Sequence, residues 1–122
     1  MRIESYHFGL IRIDGGTPPG ENPTEYRQDL IVFPDKIKSN WWRKQGHSLA
    51  VEDVRDVIEF KPELLVVGTG DSGMMAIPAA TEKALQDAGI ELIAQNTSQA
   101  CGIFNEQIKK GRKVVGAFHL TC

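Results

Sequence analysis

The chain has few cysteines, no strong excess of charge and no long hydrophobic run, and each absence argues against a class of protein. Two cysteines, Cys101 and Cys122, are too few for a disulfide framework and favour a reducing compartment. A net charge of −2 gives no general attraction for nucleic acid. No apolar run approaches the roughly 20 residues of a membrane-spanning helix. We therefore expect neither a nucleic-acid partner nor membrane insertion.

The start of the sequence also lacks the features of a targeting segment. Residues 1–14 have neither the basic flank and apolar centre of a signal peptide nor the Arg/Ser-rich pattern of a transit peptide. With the low cysteine content, this predicts a cytoplasmic protein. A hydrophobic content of 41% and a length of 122 residues fit one globular core. We expect a single α/β domain over residues 1–122.

The first third of the chain is predicted to be rich in β-strand. Residues 6–14 alternate between apolar and polar side chains, and residues 26–33 end in an apolar run that Pro34 stops. These two segments predict an antiparallel pair of strands. The Gly/Pro-rich connection between them, residues 15–25, is expected to be mobile.

Strands and helices alternate in the rest of the chain. Strands are predicted at residues 64–67, 91–94 and 114–118, and helices at 50–60, 78–88 and 99–110, the last capped by Thr97 or Ser98. Such alternation is typical of βαβ units. The sequence predicts a three-layer α/β/α fold with a mixed sheet of about five strands, an N-terminal β pair being followed by βαβαβ. Short loops favour parallel pairing of the last strand with its predecessor at residues 91–94, and the direction of the last strand decides whether His119 lies beside the other candidate residues.

A glycine-rich loop follows the first of these later strands, because residues 64–73 read LLVVGTGDSG. The spelling G-x-G-x-x-G resembles a dinucleotide-binding fingerprint. However, the next helix begins only at Pro78, the following strand does not end in an acidic residue, and the chain is about half of a complete dinucleotide domain. No lysine follows Gly73, which excludes a phosphate loop of the ATPase type. The GDSG spelling lacks the spacing of a hydrolase nucleophile elbow. A plain glycine turn remains the simplest interpretation.

A ligand crevice beside this loop is the alternative that stays open. The loops after two parallel strands meet at one edge of a sheet, where ligands of open α/β folds bind. Exposed backbone amides there would suit an anion or a small polar ligand. The candidate ligand-binding residues are Gly68, Thr69, Gly70, Asp71, Ser72, Asn96 and Ser98. No catalytic residues, no metal ligands and no cofactor are predicted, because no catalytic constellation and only half of a zinc site (His119 and Cys122) are present.

An aromatic and basic segment supplies the candidate protein-contact residues, Trp41, Trp42 and Arg43. We expect one tryptophan to cover the edge of the core and the other to be exposed for contact. Cys101 lies in the first turn of a predicted helix, where a thiol can be reactive. Its position on the same helical face as residues 104 and 108 favours a buried thiol instead.

Short pieces spread over most of the chain resemble one known family. The pieces are Tyr26, Pro34, Trp42-Arg43, Gly46, His47-Ser48, Gly68-x-Gly70, Pro78, Gly89-Ile90, Gln99-Ala100, Asn105, Gly111 and the ending Phe118-His119-Leu120-Thr121-Cys122. They resemble a small domain of unknown function shared by an adipogenesis-associated cytosolic protein and a mitochondrial complex I assembly factor, with many uncharacterised prokaryotic members. The chain departs from the family pattern at Leu120, where serine is common, and at Gly73, which not all members have.

The resemblance implies a three-layer α/β/α fold with a mixed sheet and no established reaction. Its eukaryotic members look like assembly or regulatory proteins that act through other proteins. We therefore expect a non-enzymatic cytoplasmic domain that binds a protein partner and is itself a monomer or a weak homo-oligomer. Binding of a small anionic ligand, or catalysis on one, beside the glycine loop is the alternative.

Overall fold

The computed structural model describes residues 1–15 and 24–122, so most of the connection over residues 15–25 lies outside the described residues. The strands are β1 (Arg2–His7), β2 (Leu10–Asp14), β3 (Thr24–Tyr26), β4 (Leu30–Phe33), β5 (Lys36–Lys38), β6 (Leu64–Thr69), β7 (Glu91–Gln95) and β8 (Val114–His119). The helices are α1 (Arg55–Phe60), which follows a 3-10 turn over Val51–Val54, then α2 (Ala79–Asp87) and α3 (Thr97–Lys109).

A five-stranded mixed sheet in the order β5-β4-β8-β6-β7 forms the centre of the fold. Strand β8 runs parallel to β6, and β6 runs parallel to β7. Strand β4 runs antiparallel to both β8 and β5. Every residue of β4, β6 and β8 is buried, as expected for central strands covered on both faces.

Two hydrophobic cores lie on opposite faces of this sheet. On one face α3 and the strands β1 and β2 cover a core that includes Ile11, Phe104 and Phe118. On the other face α1 and α2 cover a core that includes Trp41 and Leu85. The predicted α/β class, the mixed sheet of five strands and the βαβαβ order of its second half are therefore confirmed.

The N-terminal strands are arranged differently from the expected pair. Residues 6–14 do not form one strand, because the chain turns at Gly9, whose φ of +74° suits glycine. The result is a β1–β2 hairpin that β3 extends to a separate three-stranded sheet. Strand β4 joins the five-stranded sheet instead, because its four apolar side chains need cover on both faces.

Topology brings several chain segments to one edge of the five-stranded sheet, which we call the carboxyl edge. It consists of the ends of the three parallel strands with their following loops (residues 68–73, 95–98 and 119–122) and residue 29, which enters the antiparallel β4. Helix α3 begins at this edge, and its cap is Asn96 rather than the predicted Thr97 or Ser98. In the described ranges no helix is long and apolar enough to cross a membrane.

Candidate functional site

A pair formed by a half-buried acid and a buried histidine lies at the carboxyl edge because β4 and β8 are antiparallel. Leu30 pairs with Phe118, so the residue before β4, Asp29, lies beside His119 at the end of β8. The Nδ1 atom of His119 is 2.7 Å from the Asp29 Oδ2 atom. The backbone N–H of Leu120 donates to the other carboxylate oxygen at 2.8 Å. Asp29 thereby holds both the ring of His119 and the chain that follows it.

Arg43 completes this arrangement, and we call Asp29, Arg43 and His119 the ionic cluster. Its Nη2 atom is 2.8 Å from Asp29 Oδ2, and the side chain is only 4% exposed. Nη2 and Nε also donate to the carbonyl oxygen of Gly46, at 2.9 and 3.3 Å. The guanidinium carbon lies 4.8 Å from the ring centroid of Trp41. A half-buried carboxylate, a carbonyl and an aromatic face therefore hold this cation in place.

The hydrogen-bond pattern determines the role of each histidine nitrogen. Because Asp29 accepts, Nδ1 of His119 carries the proton and donates to it. The 3.1 Å approach of Arg43 Nη2 to the same Nδ1 then joins two donors and is not a hydrogen bond. Two buried nitrogens, Nη1 of Arg43 and Nε2 of His119, have no hydrogen-bond partner in the described part of the chain. Leaving such an atom unpaired costs on the order of 1–3 kcal/mol.

His47 and Cys122 lie on the outer side of His119. The two imidazole rings meet edge to face with centroids 5.9 Å apart. The Cys122 Sγ atom is 3.9 Å from Nε2 of His47, while the Nδ1 side of His119 faces Asp29. His119 and Cys122 form the sequence H-x-x-C but have different partners, Asp29 for His119 and His47 for Cys122. Among residues 1–15 and 24–122 no three His, Cys, Asp or Glu side chains are grouped so as to hold a metal ion.

A cavity of about 280 Å³ opens beside the ionic cluster. Its lining combines two cations, an acid, two amides and two indoles: Arg27, Gln28, Asp29, Asn40, Trp41, Trp42, Arg43, Gly46 and Thr121. Asn40 has a left-handed backbone with φ of +54°, a conformation that asparagine tolerates better than most residues. This turn directs the following tryptophans to the cavity wall.

The two tryptophans have opposite environments, as expected from the sequence. Trp41 is 4% exposed, and its Nε1–H donates to the carbonyl of Asp53 at 3.0 Å. Trp42 is 82% exposed. Arg43 is buried in the ionic cluster, so of the three predicted contact residues only Trp42 presents its whole side chain to solvent. A contact role for this segment stays a prediction.

Three backbone amides of the glycine loop have hydrogen-bond partners within the chain. The N–H of Gly70 donates to Thr97 Oγ1 at 2.9 Å, and the N–H of Asp71 donates to the carbonyl of Thr121 at 2.7 Å. The N–H of Gly73 donates to the carbonyl of Gly70 at 3.1 Å. These three of the loop amides are thus engaged in structural hydrogen bonds.

The other predicted ligand-binding residues are also placed by internal contacts or left at the surface. Gly68 lies in the buried strand β6, and Thr69 Oγ1 donates to the carbonyl that ends β7 at 3.0 Å. The Asn96 side chain accepts a backbone N–H in the first turn of α3 at 3.0 Å. Ser72 and Ser98 are exposed. The structure brings the predicted residues together at one edge, and ligand binding by them stays a prediction.

Gly70 marks how tightly the last residues fill the space beside the loop. Its φ is +108°, and a Cβ atom there would lie 2.8 Å from the carbonyl oxygens of both Thr121 and Cys122. The same atom would lie 2.9 Å from the His119 ring. Glycine is required here for close packing of backbone on backbone, not only for turn geometry.

Two groups near this edge have shifted pKa values. Burial, together with the nearby carboxylate of Asp71, raises the pKa of Tyr6 to about 12. The Tyr6 hydroxyl donates to the carbonyl of Leu120 at 2.9 Å, which ties β1 to the chain after β8. Burial alone raises the pKa of Cys101 to about 12, and its 7% exposure confirms the buried thiol rather than the reactive one.

Sequence reasoning missed Asp29 and linked His119 to the site only through the direction of β8. No motif surrounds Asp29, which is an isolated acid before an apolar run. An expected antiparallel pairing between residues 30–33 and 114–118 would have placed it beside His119. The parallel direction of β8, which the loop lengths favoured, puts His119 at the carboxyl edge, but the expected pairing of β8 with its predecessor β7 is wrong, because β6 lies between them.

Comparison with known proteins agrees with this architecture. A conserved hypothetical protein of Pyrococcus horikoshii is 26% identical, matches over the whole of both chains, and superposes with a TM-score of 0.77. A Bordetella parapertussis protein is 20% identical, with a TM-score of 0.76 over 96% of this chain and 92% of that one. A structure described as an outer membrane protein from Bartonella henselae is 22% identical, with a TM-score of 0.76 over 98% and 94%. The last two likenesses show the fold alone.

A family model covers nearly the whole chain as well. It matches residues 3–119, which include the ionic cluster and the glycine loop, and its description is "Protein of unknown function (DUF498/DUF598)". The chain therefore belongs to the DUF498/DUF598 family, whose function is not established.

Proposed function

We propose that this domain acts in the cytoplasm by binding another protein at its carboxyl edge, in an assembly or regulatory role and without catalysing a reaction. The observation that carries the proposal is the 82% exposure of Trp42 on a segment whose neighbours on both sides are locked. Tryptophan is strongly enriched among the residues that dominate protein interfaces.

The locked neighbours make Trp42 a preorganised contact. Trp41 on one side is anchored in the core and by its Nε1 hydrogen bond to Asp53. Arg43 on the other side is held by Asp29 and by the carbonyl of Gly46. Binding of a partner to Trp42 therefore costs little conformational entropy of the backbone around it, which favours affinity.

Two further exposed apolar side chains lie on loops that touch the same residues, 119–122. Phe8, at 61% exposure, precedes Gly9, whose N–H donates to the carbonyl of Leu120. Met74, at 58% exposure, lies in the loop that Asp71 ties to the carbonyl of Thr121. Exposed apolar groups gathered around one edge are typical of interaction sites. The sequence resemblance to eukaryotic assembly and regulatory proteins favours the same role.

The test is capture of partners with the intact chain followed by direct measurement of binding. Wild type, Trp42→Ala and a surface control, Lys110→Ala, are compared by quantitative capture from an extract, and any Trp42-dependent protein is purified for calorimetry. We expect Trp42→Ala to weaken binding about 30-fold, the equivalent of a 2 kcal/mol interface contact, and Lys110→Ala to bind as wild type. Equal binding by all three chains would refute the proposal.

A second candidate function, binding of a small anion, is favoured by the unpartnered Nη1 of Arg43. This buried cation lines the cavity described above, so a carboxylate or phosphate that entered could satisfy it. A thermal-shift screen of carboxylates, phosphates and nucleotides at constant ionic strength tests this idea. An anion that raises the Tm of wild type but not of Arg43→Gln would support anion binding. If no carboxylate, phosphate or nucleotide raises the Tm of wild type, anion binding is refuted.

A further inference from the structure

The two outermost strands of the five-stranded sheet, β5 and β7, differ in how they are protected from pairing with another strand. Strand β5 has three residues, and two of them, Lys36 and Lys38, are exposed lysines, a common device against edge-to-edge association. Strand β7 has five residues, with no charge, proline or bulge between its end residues Glu91 and Gln95. In the part of the chain that the structure describes, only β6 pairs with β7.

The backbone groups of β7 that point outward are set by its ladder with β6. The N–H of Glu91 donates to the carbonyl of Glu63, on the β6 side. Because hydrogen-bonding direction alternates along a strand, residues 91, 93 and 95 face β6 and residues 92 and 94 face outward. Leu92 and Ala94 therefore present their N–H and C=O groups to a strand that arrives at this edge.

The sequence of β7 is complementary to itself in the antiparallel direction. The register that pairs all five residues places Ile93 opposite Ile93 of a second copy and Leu92 opposite Ala94, a large side chain against a small one. Glu91 then faces Gln95, so no like charges meet. The outward-facing residues 92 and 94 become a hydrogen-bonded pair in this register, as an antiparallel ladder requires.

The surface beside β7 suits the same arrangement. A groove of about 430 Å³ runs between α2 and β7, and its lining is half apolar (Ile77, Ile90, Leu92 and Ala94) and half polar (Glu82, Gln86 and Glu91). The carboxylate of Glu91 is already paired with Arg112 at 3.0 Å, so its charge does not oppose a second chain. The uncharged residues 92–94 of β7, beside the apolar part of this groove, provide side-chain burial in addition to backbone hydrogen bonds.

We propose that β7 pairs with β7 of a second copy of this chain, antiparallel and about a two-fold axis at Ile93. The two five-stranded sheets then form one continuous sheet across the dimer. This dimer surface is the outer strand β7 and does not include Trp42. The dimer can therefore form while the proposed partner site at Trp42 is unoccupied.

The first test is the oligomeric state of the full chain, measured by sedimentation equilibrium from micromolar to millimolar concentration. The variant Ala94→Pro removes an outward N–H but no hydrogen bond to β6, and proline is tolerated at such edge positions. Each dimer loses two interchain hydrogen bonds, so we expect the dissociation constant to rise about 30-fold or more. Circular dichroism establishes that the variant is folded.

A cysteine pair keeps the proposal testable even if the proline variant does not fold. In a Cys122→Ser background, Ile93→Cys places two thiols in a non-hydrogen-bonded pair whose Cα atoms are about 4.5 Å apart, within disulfide range. The matched control, Gln95→Cys, places them about 14 Å apart. Under mild oxidation we expect rapid cross-linking of the first variant only.

The outcomes decide the proposal in either direction. A dimer that Ala94→Pro weakens, or selective cross-linking through position 93, supports it. A chain that stays monomeric at millimolar concentration overturns it and leaves the edge to a strand of another protein. A dimer with equal cross-linking of both cysteine variants places the interface elsewhere and also overturns it.

Discussion

Replacing Asp29 with alanine is expected to destabilise the fold more than its single side chain suggests. The carboxylate accepts hydrogen bonds from His119 and from the backbone N–H of Leu120, and it forms an ion pair with Arg43, all at 2.7 to 2.8 Å. Its loss leaves the Arg43 guanidinium, which is 4% exposed, as a buried cation without a counter-ion. The loss in the free energy of unfolding therefore comes mainly from the unpaired charge of Arg43 and less from the lost hydrogen bonds.

The expected magnitude follows from this burial. Breaking a buried ion pair by removing one partner costs about 3–5 kcal/mol. For a chain of this size, each kcal/mol corresponds to roughly 3–5 °C in Tm, so Asp29→Ala should lower Tm by about 10–20 °C. The matched control is Asp56→Ala, because Asp56 pairs with Lys38 at the surface with about half of each side chain exposed. We expect this change to cost less than about 1 kcal/mol.

The assay is urea unfolding followed by circular dichroism, with Arg43→Met and the double variant Asp29→Ala/Arg43→Met measured beside the single change. Removing the cation as well removes the stranded charge, so the double variant should be more stable than the sum of the two single losses predicts. Additive losses, or a cost for Asp29→Ala below about 1 kcal/mol, would refute the electrostatic explanation.

Three further predictions concern packing and ionisation. Gly70→Ala should lower the free energy of unfolding, measured in urea, by roughly 2–4 kcal/mol, because the added Cβ would overlap two carbonyl oxygens. The control Gly89→Ala, at φ +76° with no atom near the added Cβ, should lower it by about 1 kcal/mol. In the folded protein a thiol reagent should label Cys122 at once and Cys101 only on unfolding, since Cys101 is buried; equal labelling rates would contradict this. The folded pKa values of Cys101 and Tyr6, both about 12, lie above their ordinary values. The unfolded chain therefore releases protons first, and the urea midpoint should fall as pH rises from about 9 towards about 12; a flat profile would count against the shifts.

The second half of the fold could be predicted because its signals are local. Apolar runs, helical spacing and glycine stops define β6 to β8 and the helices between them. The strands of the N-terminal third could be expected, but their pairing could not be predicted, because nothing local shows that residues 10–14 and 30–33 belong to different sheets. Only the complete burial of β4 between β5 and β8 separates them.

The candidate site divides in the same way. The glycine loop and the tryptophan pair were visible in the sequence, as was the opposite exposure of Trp41 and Trp42. Asp29 was not visible, because its role depends on a contact with His119 across 90 positions of the chain. The partners of the loop amides were hidden for the same reason, since Thr121 approaches Asp71 only after β8 has formed.

The central position of β8 has a consequence for how the chain folds during synthesis. Residues 114–119 follow every other strand along the chain, yet they join β4 to β6. A nascent chain that has emerged only to the end of α3 lacks the strand that joins β4 to β6, and in it neither Asp29 nor Arg43 can contact His119. The five-stranded sheet and the ionic cluster can therefore be completed only after β8 has been synthesised, and until then β4 and β6 lack the strand that pairs with both.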